Sequence, residues 1–131
     1  MKYKRSELRK KIMIILYQID IFKEQKIQFE VENVIKDNLV LENEFVKDIV
    51  FGVTTYQEKI DELANKYMKN WTINRLDKSG SAILRMAIYE INYTDTPEIV
   101  VINEALELAK KYCDVDVRKI INAVLDRLIK A

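Results

Sequence analysis

Apolar residues recur at spacings of three and four along most of this chain, which is the period of one face of an α-helix. The first such segment places Leu8, Ile12, Ile15, Ile19 and Phe22 on a single stripe. A strand would instead alternate with a period of two, so the pattern indicates helices. We predict helical segments at about residues 4–24, 28–40, 42–69 and 80–93, then from Thr96-Pro97 onward, and finally from Asp114 or Asp116 onward.

Residues with strong preferences inside helices or at their ends refine this picture. Ser79 is a suitable N-cap for the helix at about 80–93, and Pro97 suits the first turn of the next helix. Gly52 lies inside the long third segment, where glycine costs about 1 kcal/mol relative to alanine. We therefore expect a neighbouring helix to press against the backbone at Gly52.

The first helix has two apolar faces. At about 100° per residue, Ile14, Tyr17 and Ile21 form a second stripe, together with Lys10, roughly opposite the first stripe. Two interpretations are open: the helix is central and buried on both sides, or the second stripe is partly exposed and receives a partner. Tyr17 suits a contact surface because its ring can stack on a partner while its hydroxyl stays hydrated.

The composition supports long helices in one domain over residues 1–131. Two glycines and one proline are too few for the turns of a barrel or a sandwich. The apolar runs are too short to cross a membrane, and the basic N-terminus does not resemble a signal sequence. Cys113 is the single cysteine and cannot form an intramolecular disulfide, so we expect a cytoplasmic protein. Because the chain starts at Met1 and ends soon after the last helix, we expect a complete protein.

The inventory of side chains argues against an enzyme. Histidine, the commonest general base and transition-metal ligand, is absent from the sequence. A lone cysteine without histidine excludes the usual thiol relay and a Cys/His zinc site. The two glycines are isolated and form no phosphate-binding loop. We therefore expect no catalytic residue, no metal and no cofactor.

Charge is unevenly distributed although the net charge is only +1. Residues 28–62 carry three basic and nine acidic side chains, a balance of −6. Residues 1–11 carry the opposite balance, +5, from Lys2, Lys4, Arg5, Arg9, Lys10 and Lys11 against Glu7. A basic segment on an acidic body attracts a polyanion at one end, although a solvated terminus without function would have the same composition.

Polar residues inside the apolar runs occur in a specific order. The strings are Arg5, Arg9 and Leu16-Tyr17 near the N-terminus, then Asn70-Trp71, Ala82-Ile83-Leu84-Arg85, Tyr89-Glu90, Ile102-Asn103-Glu104-Ala105, Leu108-Ala109-Lys110 and Ile121-Asn122-Ala123. This order resembles the NusB family of bacterial transcription antitermination factors over essentially the whole chain. The resemblance implies about seven helices arranged as two helical subbundles.

The resemblance also implies a function and partners. A NusB-like factor binds boxA-type single-stranded RNA together with the ribosomal protein NusE, within the antitermination complex on RNA polymerase. The expected RNA-binding residues are Lys2, Lys4, Arg5, Arg9, Lys10 and Tyr17. The expected partner-binding residues are Ile14, Tyr17, Ile21, Gly80 and Ser81. The alternative is a protein-interaction module or homodimer that keeps this fold but has little RNA affinity.

Several positions depart from the family pattern. Ser6 stands where relatives have a second arginine, and Ile14 stands where they have glutamine. Gly80-Ser81 replaces an acidic residue beside Arg or Lys, groups that can hydrogen-bond a base or a partner. From these departures we expect that RNA affinity is retained and that discrimination between boxA and a scrambled strand is relaxed, unless NusE supplies the missing contacts. Gly80→Asp and Ser81→Arg should then sharpen that discrimination.

Overall fold

The computed structural model describes residues 3–131, so Lys2 lies outside the described residues. This part of the chain contains helices and no strand, which confirms the all-α prediction. The elements are α1 (Arg5–Glu24), α2 (Val31–Asn38), α3 (Glu44–Tyr67), a 3-10 turn (Ile73–Arg75), α4 (Lys78–Tyr93), α5 (Glu98–Tyr112) and α6 (Val115–Lys130). Residues 3–131 form six α-helices, whereas about seven helices were expected. The 3-10 element, Ile73–Arg75, is too short to show a helical period in the sequence.

Helix α4 is the central helix, because it packs against α1 and α3 and also against α5 and α6. Helix α3 packs against α6 as well and the buried residues form one core, so the division into two subbundles remains a prediction. Every residue from Gly80 to Glu90 is buried. A helix enclosed on all sides must be apolar nearly all round, which explains why the Ala82 to Ile88 segment is almost continuous hydrophobic sequence.

Side-chain caps set two of the helix starts. Asn43 Oδ1 accepts a hydrogen bond from the Val46 backbone N–H at 3.1 Å, and Asp114 Oδ1 accepts one from the Val117 N–H at 2.9 Å. Asp114 is therefore the cap of α6. The prediction of Ser79 as an N-cap is wrong, because α4 begins at Lys78 and Ser79 lies in its first turn.

The expected close approach at Gly52 is confirmed. A Cβ atom at Gly52 would lie 2.1 Å from two atoms of the Tyr89 ring, which α4 lays across the α3 backbone. The Tyr89 hydroxyl donates to Asp48 at 2.8 Å, and its ring stacks on Tyr93 with 5.1 Å between centroids. Only glycine leaves room for this arrangement between α3 and α4.

Candidate nucleic-acid interface

The two faces of α1 have different environments. The stripe of Leu8, Ile12, Ile15 and Ile19 is buried in the core. On the other stripe, Tyr17 is 38% exposed, and Ile14 and Ile21 are half-buried. The structure therefore contradicts burial of α1 on both sides and leaves the second stripe partly open.

The first turns of α1 present basic side chains to solvent. Lys4, Arg5 and Lys10 are exposed, and within residues 3–131 no carboxylate lies within 4.0 Å of their charged nitrogens. The Arg5 guanidinium lies over the Phe45 ring, 3.9 Å from its centroid. This cation–π contact orients Arg5 while its N–H groups stay available to a ligand.

Arg9 lies in the core, where it forms an ion pair, so the structure does not support the prediction that it binds RNA. Its guanidinium donates hydrogen bonds to both carboxylate oxygens of Glu90, with 3.0 Å between Nε and Oε1. Glu104 lies 3.7 Å from Arg9 Nη1. Arg9 is 4% exposed and Glu90 1% exposed, so the pair cannot reach a phosphate in solvent. The pair ties α1 to α4 and α5 instead.

Gly80 and Ser81 are also buried, so the structure does not support the prediction that they face a partner. A Cβ at Gly80 would lie 2.7 Å from both Asp77 Oδ1 and Val117 Cγ1, because α6 packs against this turn of α4. Ser81 is 3% exposed, and its hydroxyl donates to the Lys78 carbonyl at 3.2 Å. Gly80→Asp and Ser81→Arg would therefore disturb packing and would not restore a reading surface.

Two adjoining grooves lie beyond the first turns of α1, and Glu7 and Glu104 also line the one next to α1, so its charge is mixed. A groove of about 150 Å³ lies between α1 and α5. A second groove, about 270 Å³, lies between α5 and α6, and Glu107 lines both. The basic residues that line them are Lys10, Lys110, Lys111, Arg118 and Lys119. We call Lys110, Lys111, Arg118 and Lys119 the α5–α6 basic surface.

Sequence reasoning missed the α5–α6 basic surface. The adjacent pairs Lys110-Lys111 and Arg118-Lys119 were visible as a signal, but the folding of α5 against α6 brings them together. Tyr112, exposed at the edge of the first groove, adds an aromatic ring beside these charges. Unpaired cations next to an aromatic side chain are the groups with which proteins bind single-stranded nucleic acid.

The remaining polar groups are structural. Arg85 donates to both carboxylate oxygens of Asp61, and Lys78 pairs with Asp20 and Glu24. Burial raises the pKa of the Cys113 thiol to about 11, which makes it a poor nucleophile at neutral pH. Across residues 3–131, no group of three metal-ligating side chains is present and no helix has the length and apolarity to cross a membrane.

Comparisons with known proteins agree with this architecture. The sequence model of the NusB family matches residues 6–130. The transcription antitermination protein NusB of Staphylococcus aureus is 42% identical over 127 residues, which cover 96% of this chain and 98% of that protein. The protein of the same name from Pediococcus pentosaceus is 51% identical over 89 residues, 67% of each chain.

Solved structures give the same result for the fold. NusB from T. maritima superposes with a TM-score of 0.86 at 29% identity, covering 99% of this chain and 93% of that one. A NusB chain from a crystal structure of NusB and NusE with double-stranded RNA has a TM-score of 0.82 at 23% identity, covering 96% of each chain, and shares the fold. The family match spans nearly every residue, so the chain belongs to the NusB family.

Proposed function

We propose that this protein is a transcription antitermination factor that binds boxA-type single-stranded RNA together with NusE, as part of the complex on RNA polymerase that transcribes ribosomal RNA. The observation that carries the proposal is the unpaired basic surface formed by Lys4, Arg5 and Lys10 with the adjoining α5–α6 basic surface. The name of its relatives, transcription antitermination protein, supports it. The proposed role is regulatory, in the cytoplasm, and needs no catalytic residue.

The chemistry of this surface suits RNA. Arg5 can contact a phosphate through two N–H groups or stack on a base, and its position over Phe45 limits the entropy lost on binding. The α5–α6 groove is the more basic of the two, because Lys110, Arg118 and Lys119 line it against Glu107 alone, whereas the groove beside α1 has mixed charge. Charge that follows a groove tracks a flexible phosphate backbone, and aromatic rings such as Tyr112 and Tyr17 accept unstacked bases.

The partly exposed stripe of α1 is the proposed contact for NusE. Tyr17 is flanked by the half-buried Ile14 and Ile21, so an exposed aromatic ring lies among apolar side chains. Truncating an anchor of this kind to alanine costs roughly 1–3 kcal/mol of association free energy. Tyr17→Ala should weaken NusE binding by that amount and leave thermal stability nearly unchanged. Sedimentation of the protein without NusE tests the alternative, since a homodimer across the same stripe would also be lost in Tyr17→Ala.

Salt dependence tests the RNA-binding surface. For single strands, log K falls against log salt concentration with a slope of about −0.7 per phosphate contacted. The double variant Lys4→Glu, Arg5→Glu should bind boxA RNA more weakly and reduce the steepness of that slope by about 1.4. Lys36→Glu with Lys59→Glu is the matched control, because both lysines are exposed and lie on α2 and α3. Equal slopes for the two double variants would contradict the proposed surface.

A further inference from the structure

The connection between α3 and α4 carries a second cluster of basic and aromatic side chains, outside the surface described above. Residues 63–76 contain Lys66, Lys69 and Arg75 and no acidic residue. Within residues 3–131, no carboxylate lies within 4.0 Å of their charged nitrogens. Trp71 lies among them and is 40% exposed. We call Lys66, Lys69, Trp71 and Arg75 the corner patch.

The aromatic and basic groups of this segment are already in contact. The Arg75 guanidinium lies 4.9 Å from the centroid of the Trp71 ring, and Lys66 Nζ lies 5.4 Å from the centroid of the Tyr67 ring. The Trp71 indole is 40% exposed, so part of its ring is accessible to a base. Arg75 contacts that ring and remains solvent-exposed, so its N–H groups can also meet a phosphate.

Hydrogen bonds hold the corner in a fixed shape. Asn65 Oδ1 accepts from the Ile73 N–H at 2.8 Å, and Arg127 donates from Nη1 to the Tyr67 carbonyl. Asn70 adopts a left-handed backbone with φ of 64°, which asparagine tolerates better than most residues. The exposed indole is therefore presented by a rigid turn, and little ordering is needed when a ligand binds.

The corner patch is well separated from the basic first turns of α1. Arg9 near the start of α1 pairs with Glu90 near the end of α4, while Asp20 pairs with Lys78 at the start of α4. Helices α1 and α4 are therefore antiparallel. The corner patch directly precedes the start of α4 at Lys78, and this start lies beside the end of α1. The eleven residues from Arg9 to Asp20 correspond to about 16 Å of helix. The two places are therefore separate points of contact, and a strand must run along the protein by about that distance to reach both.

From these contacts we propose that the corner patch is a second binding site for single-stranded RNA, which engages sequence flanking the boxA element. A base stacks on Trp71, and Arg75, Lys66 and Lys69 contact the neighbouring phosphates. This inference rests on the proposed function, since the flanking strand is delivered by an RNA already held at α1. The site reads no sequence, because stacking and phosphate contacts are common to all bases.

Trp71 is the single tryptophan of the chain, so intrinsic fluorescence reports on this site directly. The experiment titrates the protein with a short boxA oligonucleotide and with the same oligonucleotide extended by uridines at either end. RNA anisotropy measures total binding in parallel. The extended RNA should quench Trp71 and bind more tightly, whereas the short one should bind without quenching.

Variants separate stacking from charge. Trp71→Ala should remove the affinity gained by the extension, about five- to 150-fold for one stacked base, and Trp71→Phe should retain most of it. Arg75→Gln should make the salt slope for the extended RNA shallower by about 0.7, and the control Lys36→Gln should leave it unchanged. Arg75→Gln also keeps the test valid if Trp71→Ala fails to fold.

The outcomes distinguish this site from the proposed function. Binding of both RNAs with equal affinity and no change in Trp71 fluorescence overturns the second site alone. Absence of anisotropy change with either RNA contradicts the proposed function and this site together. If NusE alters the Trp71 fluorescence and extended RNA does not, the corner patch is a protein contact and the proposal is wrong.

Discussion

Replacement of Arg9 by methionine tests the conclusion that this arginine belongs to the core. The variant keeps an apolar stem of similar length and removes the guanidinium that donates to both oxygens of Glu90. Within residues 3–131, no other basic side chain lies within 4.0 Å of the Glu90 carboxylate. Arg9→Met therefore leaves a carboxylate that is 1% exposed without a counter-ion.

The expected loss of stability is large. Removing one partner of a buried ion pair costs about 3–5 kcal/mol, because the other charge stays buried and unpaired. With an unfolding entropy of about 2.1 cal/mol/K per residue, 131 residues give about 275 cal/mol/K, so the melting temperature should fall by roughly 11–18 °C. Glu90→Met should be milder, because Arg9 keeps Glu104 at 3.7 Å.

The assay is urea unfolding followed by circular dichroism on both single variants and on Arg9→Met with Glu90→Met. Replacing both partners of a buried pair with apolar groups is often nearly neutral, so the double variant should recover most of the lost stability. RNA affinity and its salt slope should not change in Arg9→Met at temperatures where it is folded. A loss of stability below about 1 kcal/mol with a shallower salt slope would refute the core assignment.

Two further predictions concern packing and pH. Gly52→Ala should lower the free energy of unfolding by about 1–2 kcal/mol, because the new methyl group displaces the Tyr89 ring and the gain in helix propensity offsets only part of the packing cost. Chemical unfolding measures the change in stability. An increase in stability would contradict the close packing at Gly52. Cys113, whose pKa burial raises to about 11, should be alkylated far more slowly than glutathione at pH 8 and faster as pH rises toward 11. Mass spectrometry follows the alkylation, and equal rates at pH 8 would show an exposed thiolate.

Local patterns in the sequence predicted the fold well. The three-and-four spacing identified α1 and α3 to within two or three residues, and Asp114 was among the predicted caps of α6. Gly52 in a helix correctly indicated close packing, because glycine there is unfavourable without a neighbour. The sequence signals for these features lie within a few positions of one another, so a single sequence displays them directly.

Assignments that depend on distant contacts were less accurate. Arg5 and Arg9 look alike in sequence. Arg9 lies in the core because it pairs with Glu90, which is 81 residues further along the chain, whereas Arg5 lies at the surface. Gly80 was interpreted as a surface departure because Val117, which packs on it, lies on α6. The α5–α6 basic surface likewise needs two helices to form. Charge alone does not indicate whether a side chain faces solvent or a buried partner.

The place of α1 in the fold has a consequence for synthesis of the protein. This helix is synthesised before the other helices described, yet its buried ion-pair partner Glu90 follows Arg9 by 81 residues. At about 5–20 residues per second, the interval is about 4–16 s. A solitary amphipathic helix of 20 residues is only marginally stable in water. Nascent chains that stall before α4 emerges should therefore expose the apolar stripe of α1 to chaperones and proteases, and emergence of α4 should start cooperative folding.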